Sequence, residues 1–163
     1  MQIKGRKFLS KKDKKLLQMK LSEIYGESIV DFIQKTDNLE EARADKGKML
    51  LRKNRMWFFS YNDLLIPSIY CLRESSMKLP KVIVDVGAIR FITNGADVMA
   101  PGVVFFDETI RKDVIVAIHE EKAETIIAVG MSLIDAKEFE KTKKGKVVKM
   151  LHHLKDDIWN FQL

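Results

Sequence analysis

Polar and apolar positions change period along the first half of the chain. Ile3 to Leu9 alternates loosely, the pattern of a strand. Ser10 followed by Asp13 three residues on is a capped helix start, and Leu17, Leu21 and Ile24 then mark one apolar face of a helix ending near Gly26. Ile29, Val30 and Ile33 predict a second short helix, with Asp37 to Arg43 as a polar connection or a further turn. Met49–Arg52 and Met56–Tyr61 read as two strands joined at Lys53-Asn54-Arg55, a hairpin in which Trp57, Phe58 and Phe59 are core material rather than a base-stacking platform. Leu64 to Leu72 is an apolar helix or an extended segment, and Pro67 favours a helix start there. Arg73 to Lys78 reads as a linker, so the expected domains are 1–76 and 77–163, both small and of mixed α+β class.

The second half is organised around residues 79–106. An apolar run, Val82-Ile83-Val84, passes through a turn at Gly87 into about two helical turns from Ala88 to Thr93. Breaks follow at Asn94-Gly95 and Pro101-Gly102, and the second launches another apolar run, Val103 to Phe106. Either glycine alone reads as turn punctuation. A residue without Cβ also lets the backbone take positive φ or lets another backbone come close. Beyond this segment, strands at Val114–Ile118 and Thr125–Ser132 bracket a polar hairpin, His119-Glu120-Glu121-Lys122. A short helix at Asp135–Lys141 and a last long strand at Lys146–Leu154 complete the pattern.

The stretch VDVGAIRFITNGADVMAPGVV resembles the opening of a PUA domain, the RNA-binding module of pseudouridine synthases and archaeosine tRNA-guanine transglycosylases. The likeness continues in register through Asp113–Ile118 and through Ile127-Ala128-Val129-Gly130, and it covers residues 80 to 163. Lys144-Gly145-Lys146-Val147-Val148, followed by His152 to Trp159, is similar to the C-terminus of the malignant T-cell-amplified sequence family and its archaeal relatives. That family implies a small N-terminal domain ahead of a C-terminal PUA pseudo-barrel, and an association with translation.

Composition changes the picture mainly through charge. The hydrophobic share of 46% and charged share of 32% are ordinary for a soluble globular chain, and the net charge is +6. Residues 1–20 carry eight basic side chains and one acidic, residues 21–79 nine of each, and residues 80–163 twelve and thirteen. The excess therefore sits in the first twenty residues, at Lys4, Arg6, Lys7, Lys11, Lys12, Lys14, Lys15 and Lys20. A one-sided basic segment is either the footprint of a polyanion binder or a solvated helix face. Lys11, Lys12, Lys14 and Lys15 stand at the helix end where the dipole disfavours cations, which points to a compensating partner. A second basic stretch comprises Lys141, Lys143, Lys144, Lys146, Lys149 and Lys155, with no acidic residue between 141 and 155.

The chemistry-bearing residues exclude more than they indicate. No apolar run approaches the ~20 residues that cross a bilayer, and no apolar leader follows the N-terminal charges, so a cytoplasmic protein with no membrane partner is expected. The single cysteine, Cys71, excludes a disulfide framework and a cysteine-rich zinc site, and its apolar neighbours make it a buried thiol. His119 beside two carboxylates is no metal site, because neighbours on an extended chain face opposite ways and no second cluster completes a ligand set. Asp156-Asp157 reads as a turn before a final strand, and no catalytic motif is present. A non-enzyme without cofactor or metal is expected.

What the PUA resemblance implies is an RNA surface made by the short helix, the loop after it and the neighbouring strands. It would comprise Arg90, Asn94, Gly95, Ala96, Asp97, Met99, Ala100, Pro101 and Gly102, with Lys143, Lys144, Lys146, Lys149 and one of His152 or His153 nearby. Small residues admit a ribose-phosphate backbone or a flipped base, loop N–H groups meet phosphate or 2′-hydroxyl oxygens, and lysines supply sequence-independent attraction. Asp97 would serve loop geometry or accept from a base edge. The expected function is binding of structured RNA, tRNA or rRNA, by a monomer of the translation apparatus, in contact with the small ribosomal subunit or a translation factor. Two alternatives remain: a protein-interaction module docking an initiation or recycling partner, such as a relative of the density-regulated protein, and an accessory subunit in tRNA or rRNA modification.

Overall fold

Local capping and one apolar hairpin determine the N-terminal half. In the computed structural model, which describes residues 2–35, 38–45 and 47–163, β1 (Ile3–Phe8) gives way to α1 (Lys11–Tyr25) at Ser10. The Ser10 hydroxyl accepts the Asp13 N–H at 3.1 Å, and the Asp13 carboxylate accepts the Ser10 N–H at 3.3 Å, a reciprocal cap. Leu17 and Leu21 are buried, but Ile24 is exposed. Tyr25 takes its place, one turn after Leu21, half-buried with its hydroxyl donating to the Leu65 carbonyl at 2.8 Å. The helix then stops at Gly26, whose φ of 78° favours glycine. Next come α2 (Ser28–Lys35), with Ile29 and Ile33 buried, and β2 (Glu40–Ala44).

β2 corrects the expected polar connection over 37–43. Its inward positions are Glu40, Ala42 and Ala44, so no large apolar residue announces it, and Asp37 lies outside the described residues. Glu40 is buried because Arg6 reaches across from β1 to form a two-pronged ion pair, with Nη2 to Oε1 at 2.8 Å. β3 (Gly47–Arg52) and β4 (Arg55–Tyr61) form the expected hairpin, turned by Lys53 and Asn54 at φ 48° and 62° as a two-residue turn with both φ positive. Met56, Trp57, Phe58 and Phe59 are all buried, as expected of core. β5 (Leu64–Pro67) follows, and Pro67 ends this strand instead of starting a helix. Ser68 caps α3 (Ile69–Glu74), and its hydroxyl also donates to the Met56 carbonyl at 2.7 Å. The five strands form an antiparallel sheet in chain order, β1-β2-β3-β4-β5. This unit runs to Lys78 and includes Asn160–Leu163, which return to the β3–β4 turn through a 3.1 Å bond from Leu163 N–H to the Asn54 carbonyl.

The second unit, Leu79–Trp159, contains β6 (Lys81–Val84), α4 (Val86–Ile92), β7 (Val98–Met99), a 3₁₀ turn (Ala100–Gly102), β8 (Val103–Phe106), β9 (Ile115–Glu120), β10 (Ile126–Ser132), α5 (Ala136–Phe139) and β11 (Lys146–His153). The strand order is β7-β11-β10-β9-β6-β8, with β6 and β9 parallel and the other pairs antiparallel, a nearly closed pseudo-barrel of mixed strands. Val82, Val84, Ile92, Val116, Ile118, Ala128, Val147 and Val148 fill it. Three expectations shift here. Gly87 lies inside α4 because Asp85 already supplies the cap, accepting from the Ala88 N–H at 2.9 Å. His119 and Glu120 belong to β9, and the turn is 121–124, held by Glu120 accepting the Lys122 and Ala123 N–H groups. Asp156 closes the turn after β11, accepting the Ile158 and Trp159 N–H groups, and only an isolated bridge at Gln162 follows.

Gly130, in the middle of β10, has no room for a side chain: a Cβ would sit 2.5 Å from Val148 Cγ1 and 2.7 Å from the Lys149 carbonyl oxygen. Gly130→Ala is expected to destabilise this unit by about 1–3 kcal/mol through overpacking. Thermal melting followed by circular dichroism checks it, and an unchanged transition contradicts this packing.

Candidate nucleic-acid interface

The site begins with one backbone contact. The Gly102 carbonyl accepts the Asp85 N–H at 2.9 Å, which draws the 3₁₀ turn against the start of α4. Gly102 has no positive φ, so its requirement is space: a Cβ there would lie 3.1 Å from that of Ala88. At the far end of α4 the chain reverses through Gly95, whose φ of 90° does favour glycine. The Gly95 and Ala96 N–H groups are spent on the Ile92 and Phe91 carbonyls, so they shape the loop rather than face outward as donors. Between α4 and the 3₁₀ turn lies an open groove of about 750 Å³.

Of the expected residues, Gly95, Ala96, Asp97, Met99, Pro101, Gly102 and Lys146 line this groove. Ala100 is buried beneath it, and its N–H donates to the Gly145 carbonyl at 2.9 Å, which ties the turn to the loop bearing Lys143 and Lys144. Those two lysines, Lys149, Arg90 and Asn94 are exposed but outside the lining. The histidines separate as strand neighbours must. His152 is fully buried with Nδ1 2.8 Å from the Asp156 carboxylate, whereas His153 lies against Gly95, its Nδ1–H donating to the Leu154 carbonyl at 2.8 Å. His152 is thus a structural group. Phe91 is a groove residue that the sequence pattern does not single out: 58% of its surface is exposed, and the Arg90 guanidinium stands 5.4 Å from its ring centre. The available signal is a large aromatic one position before the buried Ile92 on a two-turn helix.

Asp97 is committed to the fold. One carboxylate oxygen accepts the Met150 N–H at 2.8 Å, and the other pairs with Lys146 Nζ at 2.9 Å. Burial works to raise its pKa, but the Met150 N–H and Lys146 outweigh it and hold the group below the ordinary carboxylate value. The exposed Lys146 is thereby fixed on the lip of the groove. In the N-terminal segment, Arg6 is consumed by Glu40 and Lys4 pairs with Asp45 at 2.7 Å, so neither is a spare cation. Among the described residues no cluster of side chains could hold a metal ion, and no helix is long and apolar enough to cross a membrane.

Because Asp97 titrates lower in the folded state, its stabilisation is complete above the unfolded value near pH 4 and is lost as the pH falls through the folded value. Asp97→Asn should therefore lower stability at pH 7 by about 1 kcal/mol, with the difference from wild type vanishing in strong acid. Melting curves from pH 7 down to about pH 2 check it. A deficit that persists unchanged at the acid end would mean the carboxylate charge plays no part.

Comparison with known proteins follows these two units. Residues 80–154 match the PUA domain family, and residues 5–75 match a family described as Domain of unknown function (DUF1947). The chain is 40% identical to an uncharacterized protein of Methanocaldococcus jannaschii, over 99% of both sequences. It is 31% identical to Translation machinery-associated protein 20 of Saccharomyces cerevisiae, over 84% of this chain and 80% of that one. A solved conserved PUA domain protein from Thermoplasma acidophilum superposes with a TM-score of 0.79 at 34% identity, covering 94% of this chain and 97% of that chain. The chain belongs to the family of two-part PUA-domain proteins in which a DUF1947 domain precedes the PUA domain.

Proposed function

We propose that this protein binds structured RNA, tRNA or rRNA, in the groove between α4 and the 3₁₀ turn, and that it acts in translation as a binding protein and not as an enzyme. The observation that carries the reading is the groove itself: an aromatic ring and apolar side chains, Phe91, Met99 and Pro101, lie open to solvent beside a fixed lysine. An unpaired base can stack on the exposed Phe91 ring, because base–aromatic stacking tolerates any base. Lys146 on the lip, with Lys143, Lys144 and Lys149 beyond it, attracts the backbone without regard to sequence. The small residues Gly95 and Ala96 keep the loop low enough for a ribose-phosphate chain to pass. Membership of the PUA family and a relative named for association with the translation machinery support the setting.

Gly102 is a poor place to test this, since even Ala presses on Ala88 and would lower stability. Exposed residues are cleaner. Phe91→Ala should weaken binding of unfractionated tRNA about 5- to 150-fold, the ~1–3 kcal/mol of one lost stack, with an unchanged melting temperature. Lys146→Gln combined with Lys149→Gln should flatten the dependence of affinity on salt, by roughly 0.7–0.9 of log–log slope for each phosphate no longer neutralised. Filter binding across a salt series reads both. Wild-type affinity and slope in all these variants would remove the groove from consideration.

A further inference from the structure

The charges that line the groove between α4 and the 3₁₀ turn do not suit a phosphate. Asp85, Asp97 and Lys146 are the charged residues of the lining. Lys146 Nζ and the Asp97 carboxylate stand 2.9 Å apart and offset one another, which leaves the Asp85 carboxylate unopposed in the groove. Its Oδ1 accepts the Ala88 N–H at 2.9 Å, and its Oδ2 has no partner among the described residues. Gly87, also in the lining, keeps this carboxylate uncovered: a Cβ there would lie 3.4 Å from Asp85 Oδ1. Gly87 sits inside α4 without a positive φ, where alanine would serve the helix better. Its bareness therefore answers to the space beside Asp85 and not to backbone geometry. Lys143, Lys144 and Lys149 are exposed outside the lining, so phosphates are drawn to the rim and what the groove admits is a base.

We propose that Asp85 selects the base that enters its end of the groove, taking cytosine, adenine or guanine and rejecting uracil. A carboxylate only accepts hydrogen bonds. The first three bases carry an exocyclic amine that can donate to Asp85 Oδ2, whereas uracil presents carbonyl oxygens on either side of its one ring N–H. A groove built around an acceptor rejects a base that brings acceptors, because the two then face one another without a proton between them. Asp85 and Phe91 stand at opposite ends of α4, so the base read at Asp85 is a neighbour of the one stacked on Phe91. This inference rests on the RNA reading above and adds to it the class of nucleotide that the site takes: unpaired, with an amine on its pairing edge.

The test uses the full chain at pH 7 and short fluorescent RNA oligomers of cytidine, of uridine, and of the cytidine analogue whose ring lacks the amine. Fluorescence polarisation should show the cytidine oligomer bound about tenfold tighter than the uridine oligomer. The analogue should bind no better than uridine, a result that does not depend on any variant folding. Asp85→Asn keeps an oxygen for the Ala88 N–H, since asparagine caps a helix as well as aspartate, and puts an amide donor in place of Oδ2. That variant should melt like wild type and bind uridine at least as tightly as cytidine. Phe91→Ala should weaken both oligomers and leave their ratio unchanged. Equal binding of cytidine and uridine by the wild type overturns the proposal, even where Phe91→Ala weakens both, and the groove then takes RNA without this selection. A cytidine preference that Asp85→Asn retains, or that the analogue without an amine shares, also overturns it. Affinities untouched by Phe91→Ala and Asp85→Asn alike overturn this proposal and the groove reading together.

Discussion

The 2.9 Å bond from the Asp85 N–H to the Gly102 carbonyl is the constraint on which the C-terminal unit's surface depends. Asp85 also caps α4 with its side chain, so one residue fixes both where the helix begins and where the 3₁₀ turn lies against it. This close approach works because Gly102 meets Ala88, leaving 3.1 Å for a hypothetical methyl group and no more. With the turn held there, Ala100 reaches Gly145, β7 pairs with β11, and Asp97 can accept from Met150 while holding Lys146. Each of these is a modest interaction of about 1 kcal/mol. Together they define the groove walls, and the apolar core beneath them supplies the stability.

Much of this architecture is legible in the sequence, for physical reasons that differ by element. The β3–β4 hairpin is readable because its turn residues and its run of Met56 to Phe59 state the same thing at two levels. The α1 start is readable because a capping box is local chemistry. β2 is not, since its inward face is Glu40, Ala42 and Ala44, and a buried carboxylate is explained only by Arg6, 34 residues away in sequence. Ser68 and not Pro67 starts α3, because a proline can also close a strand that needs no further donor.

At the candidate site, the loop residues are readable as a set and their roles are not. Asp97 and Ala100 look alike in sequence as part of an exposed loop, yet one is a buttress and the other is buried. His152 and His153 are separable in principle by strand alternation, and the Asp156 contact settles which of them is interior. Phe91 is hidden by its neighbours, since a helix of seven residues has too few turns for an exposed aromatic to stand out from a core stripe. On α1 the spacing assigns Ile24 to the buried face, yet it is 47% exposed and Tyr25, one position on, turns inward in its place. The groove of the C-terminal unit thus joins an exposed aromatic ring to a lysine on its lip.

The most direct measurement of the RNA-binding surface is a map of backbone amide chemical shifts in the full chain during titration with unfractionated tRNA. Binding in the groove between α4 and the 3₁₀ turn should concentrate the shifts at Phe91, at residues 94–102 and at residues 144–150, with little change along α1. Shifts confined to residues 3–25, or spread evenly over both units, would contradict it.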